Sequence, residues 1–206
     1  MILTGDKMFK DHRTLMQELS DYASPKARLT RMIRSGKVLQ VRRGLFLEPD
    51  DGQISQKSIA SVIYGPSYIS FQYALSHYGL IPERVSLVTS AVYGKNKNRL
   101  FNTSFGDFAY YYLPSDVYPY EVVRETENRQ PYLIATAEKA LCDSLYKVRE
   151  VITETALVSL LFDDWRIERD RISEMDSESL NFLAPRYGKR IMTLFLKWYN
   201  REISNA

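Results

Sequence analysis

Apolar positions recur at helical spacing at Leu15, Met16 and Leu19, which predicts a helix from about Met8 to Ser20. Ser24-Pro25 marks a second helix start: the serine oxygen is expected to accept from free amides, and proline suits the first helical position. Leu29, Met32 and Ile33 then form one apolar stripe, and Gly36 supplies a left-handed stop just after Ser35. At about 100° per residue, Arg28, Arg31 and Arg34 fall roughly 100–160° from the centre of that stripe. All three are therefore expected to point outward once the stripe is buried. Beyond Gly36 the pattern changes. Val38–Val41 and Leu45–Leu47 read as two short strands around Arg42-Arg43-Gly44, a hairpin that turns at its glycine.

Downstream, Ser55 to Tyr64 has helical spacing, with Ile59, Val62 and Ile63 apolar. Tyr68-Ile69 is a short extended piece, after which Ser70 is expected to cap a helix Phe71–Tyr78 closed by Gly79. Val85 to Val92 is β-branched and strand-like, and Phe108, Tyr110 and Tyr112 would share one strand face. Thr136 should cap a further helix carrying Leu141, Leu145 and Val148 on one side, with Glu138 near its positive end. From about residue 148 the spacing is mostly helical. Leu157, Leu160 and Leu161, then Leu180 and Leu183, then Ile191, Leu194, Phe195 and Trp198 predict two or three amphipathic helices covering the body.

Glu48-Pro49-Asp50-Asp51-Gly52 combines strand-breaking and turn-forming residues and reads as a linker. The expected fold class is thus α+β: an amino-terminal winged helix-turn-helix over 1–49, then a larger mixed α/β domain over 53–206. The first helix of a full three-helix winged unit has little chain to occupy ahead of Leu15.

Composition enters here because one feature of it is local. The chain of 206 residues holds 28 Lys+Arg against 25 Asp+Glu, a net charge of +3 that implies no particular partner. Between Tyr22 and Leu47, however, stand Lys26, Arg28, Arg31, Arg34, Lys37, Arg42 and Arg43 and no acidic residue, so that segment is +7 and the remainder −4. Hydrophobic content of 45% and charged content of 26% belong to a folded chain, not a disordered or collagen-like one. No stretch reaches the roughly 18 apolar residues of a membrane-spanning helix, and MILTGDKMFKDHR has no apolar core for a leader. Cys142 is the single cysteine and cannot form an internal disulfide, so a cytoplasmic location is expected.

A capped basic helix followed by a basic-tipped hairpin is the pattern of a winged helix-turn-helix that reads double-stranded DNA. Arg28, Arg31 and Arg34 would lie on the recognition helix, Lys26 and Lys37 at its two ends, and Arg42 and Arg43 on the wing. The plainer alternative is a solvated basic helix docked on the acidic body. Lys95, Lys97 and Arg99 form a candidate second phosphate contact, against the plainer reading of a solvated loop between Asn96 and Asn102.

Enzyme signals are poor. His12 and His77 have no cysteine cluster beside them, which gives a zinc site little support. Gly52–Ser58 approaches a phosphate loop but has Gln56 where the glycine before Lys-Ser is required. Cys142 lies on an apolar-flanked helix as a packed thiol, and Asp163-Asp164 with Glu168 reads as a solvated acidic helix end. No catalytic residue, metal or cofactor is therefore expected. Two other classes remain open: an enzyme acting on nucleic acid from a site in the mixed domain, and an adaptor using the tyrosines between Phe105 and Tyr132 as a protein interface.

Three segments carry a resemblance. Arg43-Gly44-Leu45-Phe46 after the basic helix, Tyr68-Ile69-Ser70 through Ala74-Leu75-Ser76-His77-Tyr78-Gly79-Leu80-Ile81-Pro82-Glu83, and Ile134-Ala135-Thr136-Ala137-Glu138-Lys139-Ala140-Leu141-Cys142-Asp143 resemble the AbiEi-type antitoxins. These are transcriptional regulators of type IV toxin–antitoxin and phage-defence systems. The likeness spans roughly Ser24 to Lys147. Family members often have proline where Ala137 stands and tyrosine where Phe46 stands. The resemblance implies a winged helix that represses its own operon, and a larger domain that neutralises a nucleotidyltransferase-like toxin without a stable complex.

Overall fold

The computed structural model describes residues 2–4, 7–49 and 54–204. The linker residues Asp50 to Gly52 lie outside them. Two sheets organise the chain, and its fold is mixed α+β.

The amino-terminal sheet contains β1 (Ile2–Thr4), β2 (Lys7–Asp11), β3 (Leu39–Arg42) and β4 (Leu45–Leu47) in the order β1-β2-β4-β3. Between β2 and β3 run two helices, α1 (His12–Glu18) and α2 (Pro25–Arg34). The expected helix from Met8 is therefore shorter. Met8 to Asp11 are strand because Phe9 and Asp11 pair with Leu47 and Leu45 of β4. Asp11 then begins α1 by accepting from the Thr14 amide at 2.7 Å, the side-chain cap a short helix needs for its free amides.

One face of this sheet packs under α1 and α2, where Leu15, Leu19, Leu29, Val38 and Phe46 form a small core. The other face belongs to the body: Phe9, Val41, Leu45 and Leu47 join the main core. The alternation along β4 is the cause, since Phe46 faces the helices while its two neighbours face away.

The body is built on a six-stranded mixed sheet. Its strands are β5 (Ser67–Ile69), β6 (Val88–Val92), β7 (Arg99–Thr103), β8 (Gly106–Tyr112), β9 (Val122–Glu127) and β10 (Gln130–Ala135), in the order β7-β8-β6-β5-β10-β9. β5 runs parallel to β10 and β6 parallel to β8; the other pairs are antiparallel. Helix α3 (Gln56–Ile63) covers one face, where the Tyr110 hydroxyl donates to the Ala60 carbonyl at 2.6 Å. Helices α4 (Phe71–His77) and α5 (Ala137–Lys147) pack together, α5 covering the face that carries Tyr68 and Tyr111.

Beyond residue 148 come α6 (Glu154–Ser159), a π-helical turn Leu160–Asp164, α7 (Arg169–Ser173), α8 (Ser177–Leu183), a 3₁₀ turn Ala184–Tyr187 and α9 (Arg190–Ser204). This is more broken than two or three helices. The apolar positions still do what their spacing required: Leu157, Leu161, Leu180, Leu183, Ile191, Phe195 and Trp198 all enter the main core.

Candidate nucleic-acid interface

Helix α2 starts with Pro25 at its first position, but Ser24 makes no side-chain cap; only its carbonyl is used, by the Arg28 amide at 3.0 Å. The end is sharper. Gly36 adopts φ +72°, its amide donates to Ile33 at 3.1 Å, and the Lys37 amide reaches back to Met32 at 3.0 Å. That paired closure satisfies carbonyls the helix would otherwise leave free. Arg31 and Arg34 stand in the last turn, at the negative end of the helix dipole.

Burial of the stripe orients the charges. Leu29 is buried, Met32 and Ile33 half-buried, and Lys26, Arg31, Arg34 and Lys37 exposed. Arg28 departs from the outward expectation. It is half-buried, its guanidinium lies 4.8 Å from the Tyr22 ring centroid, and its Nε is closed off from solvent without a partner. Being adjacent to Leu29, it sits at the flank of the buried stripe and not opposite it.

The hairpin turns as its sequence indicates, with Gly44 at φ +79° and a shift in register between Gln40 and Arg42. Arg43 is exposed at the tip. Arg42 is also exposed, yet it is anchored: Nε donates to the Ile63 carbonyl at 2.7 Å and Nη1 to the Arg43 carbonyl at 3.1 Å. It thereby supplies a donor at the carbonyl end of α3 and ties hairpin to body, a role that basic-residue counting gave no sign of.

Among the described residues, Lys26, Arg28, Arg31, Arg34, Lys37, Arg42 and Arg43 form no ion pair with a carboxylate. Lys10, close by in sequence, is held between Glu18 at 2.7 Å and Glu48 at 3.0 Å, which raises its pKa although burial opposes that. The helix and hairpin therefore present cations whose charge no carboxylate among the described residues offsets. Such groups suit phosphate oxygens, which take charge-assisted hydrogen bonds from arginine and lysine.

Two polar clusters elsewhere bring together residue types that can carry chemistry. Lys139 and Asp143, both fully buried, pair at 3.0 Å across one turn of α5. Lys139 Nζ also donates to the Val117 carbonyl at 2.7 Å and to Tyr187 Oη at 2.8 Å; Asp143 accepts from Ser70 at 2.6 Å, Tyr68 at 3.2 Å and Tyr187. Ser70 is thus committed to Asp143 and makes no cap on α4, contrary to its sequence position. Each member has its partners, and the cluster joins α5 to the sheet and the 3₁₀ turn. Cys142 beside it is fully buried, and burial with the Asp143 charge pushes its thiol up, away from the nucleophilic thiolate.

The second cluster lies on β9, β10 and the starts of α3 and the end of α4. Lys57 pairs with Glu127 at 3.0 Å, Ser55 donates to Glu127 at 2.5 Å, Tyr132 donates to Glu125 at 2.6 Å, and His77 meets Glu125 at 3.0 Å. Burial opposes ionisation of both acids, but these donors and cations together hold Glu125 and Glu127 below the usual carboxylate range. A general acid needs the opposite shift. Asp163, Asp164 and Glu168 are exposed, and no three metal-ligating side chains come together among the described residues.

The tyrosine run is divided. Tyr110 and Tyr132 are buried, Tyr111 and Tyr118 half-buried, and Tyr112 and Tyr120 exposed. Among the described residues no helix is long and apolar enough to cross a membrane. No protein-family model matches the chain, and no curated protein matches it in sequence.

Proposed function

We propose that this chain is a DNA-binding transcriptional regulator that represses its own operon and serves as the antitoxin of a type IV toxin–antitoxin system. The observation that carries the DNA-binding part is the set of cations on α2 and the hairpin that pair with no carboxylate among the described residues, with Arg31 and Arg34 placed opposite the stripe that docks α2. Topology supports it as well. A strand, two helices and a hairpin, with β4 lying between β2 and β3, is an order that a winged helix-turn-helix lacking its first helix would have. A helix of this kind is about 10–12 Å across and fits a major groove about 12 Å wide.

Arg31 and Arg34 would face base edges or phosphates, Lys26 and Lys37 the backbone at either end, and Arg43 the backbone beside the wing. Arg28 would contribute through its stack on Tyr22, and Arg42 from its anchored position. The antitoxin part rests on the motif resemblance to the AbiEi-type family. The matching segments are physically coherent, since Ser70 of one meets Asp143 of the other. The expected counterpart is a nucleotidyltransferase-like toxin encoded beside this chain, with no direct contact required.

Gel shift with a duplex from the upstream region, run across salt concentrations, tests the reading. The combined change Arg28→Ala, Arg31→Ala, Arg43→Ala should abolish binding or sharply lower the salt slope. Unchanged affinity and slope in that variant would refute DNA binding. Co-expression with the neighbouring gene product should restore growth if the antitoxin role holds.

A further inference from the structure

Between the hairpin and the body lies an open cleft of about 430 Å³, lined by Arg42 from β3, Ser61 and Tyr64 from the end of α3, and Lys95 from the loop between β6 and β7. No acidic residue lines it. The two cations reach it from parts of the chain about fifty residues apart in sequence, so linear reading could not join them.

Arg42 is held in place and Lys95 lies against a ring. Arg42 is anchored through Nε and Nη1, and Nη2 has no partner among the described residues. Lys95 is half-buried, with Nζ 5.7 Å from the Tyr64 ring centroid. That ring is itself braced against Tyr110 at 5.4 Å and Phe101 at 5.7 Å. Lys95 has no carboxylate partner among the described residues. Two cations on one cleft, neither paired with a carboxylate among the described residues and one of them anchored, suit a phosphate, and Arg42 has little side-chain freedom left to lose on binding.

The geometry points to this cleft as a site for a backbone phosphodiester of the duplex that α2 holds, with Arg42 and Lys95 as its cationic ligands. The site rests on the DNA-binding reading and adds the body to the interface: the strand leaving the hairpin tip at Arg43 would pass directly onto Arg42 and Lys95.

The full chain is titrated with an upstream duplex as wild type, Lys95→Ala and Arg31→Ala, between about 50 and 200 mM salt. Loss of one backbone contact lowers the log–log salt slope by about 0.9, so the wild-type advantage over Lys95→Ala should shrink about 3.5-fold across that range. The weakening should be equal on unrelated duplexes, because a phosphate contact carries no sequence information. A thermal melt of Lys95→Ala matching wild type shows that the fold is intact. If Arg31→Ala weakens binding while Lys95→Ala keeps wild-type affinity and slope, the cleft is overturned and the regulator reading stands. If wild type binds no duplex, both fall. Inorganic phosphate, titrated without DNA and followed by Tyr64 and Lys95 resonances, should bind only at millimolar levels. Micromolar binding would assign the cleft to a free anion and overturn the DNA source.

Discussion

The basic surface of α2 and the hairpin and the polar clusters of the body treat positive charge in opposite ways. In the body, several cations are met within the chain: the buried Lys139 by Asp143, the largely buried Lys57 by Glu127, and the exposed Arg171 by Glu174 and Arg201 by Glu154. On α2 and the hairpin, Arg31, Arg34, Lys37 and Arg43 are exposed and pair with no carboxylate among the described residues. A buried charge must be compensated for the chain to fold, whereas an exposed one costs little to leave bare. The contrast between Lys139 with Asp143 and the bare arginines of α2 therefore separates charge that the fold requires from charge held ready for an outside partner. The cores differ too. The small cluster around Leu15 and Phe46 leans on the main core through Val41, Leu45 and Leu47, so the basic surface is fixed on the body and not carried on a free tether.

The same type of substitution should then give opposite results in the two regions. Lys139→Ala strands the Asp143 carboxylate inside the protein and should cost about 3–5 kcal/mol in urea unfolding. Arg31→Ala and Arg34→Ala should change stability by less than about 0.5 kcal/mol while weakening DNA binding. The pattern breaks if Lys139→Ala is mild, or if either arginine change destabilises the fold as strongly as it impairs binding. Replacing Lys139 and Asp143 together should cost less than the sum of the single changes, because neither charge is then left alone.

Arg42 belongs to both regions and sharpens the boundary between them. Arg42→Ala removes the charged donor to the Ile63 carbonyl, a contact at an exposed side chain expected to be worth about 1 kcal/mol. The variant should lose DNA affinity as well. Arg42→Lys should recover part of the affinity but little of the stability, since lysine lacks the fork that donates to two carbonyls at once. A loss confined to stability would make Arg42 purely a clamp.

Periodicity located these elements well where one local force decides them. The stripe Leu29-Met32-Ile33, the stop at Gly36 and the turn at Gly44 are each set within a few residues, and each stands where its pattern indicated. Failures came where a distant partner intervenes. Met8 to Asp11 turned to strand because β4 offered pairing, and Arg99 to Asn102 joined an edge strand because β8 lies beside them. Ser70 looked like a cap and was claimed by Asp143, over seventy residues away. The candidate site followed the same rule. Exposure of Arg31 and Arg34 is a property of one helix, while the anchoring of Arg42 and its meeting with Lys95 depend on tertiary placement.

The smallest effect concerns the acidic cluster on β9. Glu125 and Glu127 have pKa values lowered in the folded chain by Tyr132, Ser55, Lys57 and His77, against the upward pull of burial. A lowered carboxylate pKa contributes stability above the ordinary carboxylate range, and that contribution disappears as pH falls through the folded-state value. Both side chains are about a third exposed, so solvent screening keeps the gain modest. Stability should accordingly decline on the acid side of neutrality only once the pH enters the carboxylate range, and Glu125→Gln should flatten that decline measured by urea unfolding at stepped pH. The amino-terminal cations take no part in this cluster, so Arg31→Ala should leave the acid limb unchanged. A limb altered by Arg31→Ala, or indifferent to Glu125→Gln, would place the acid sensitivity outside the β9 cluster.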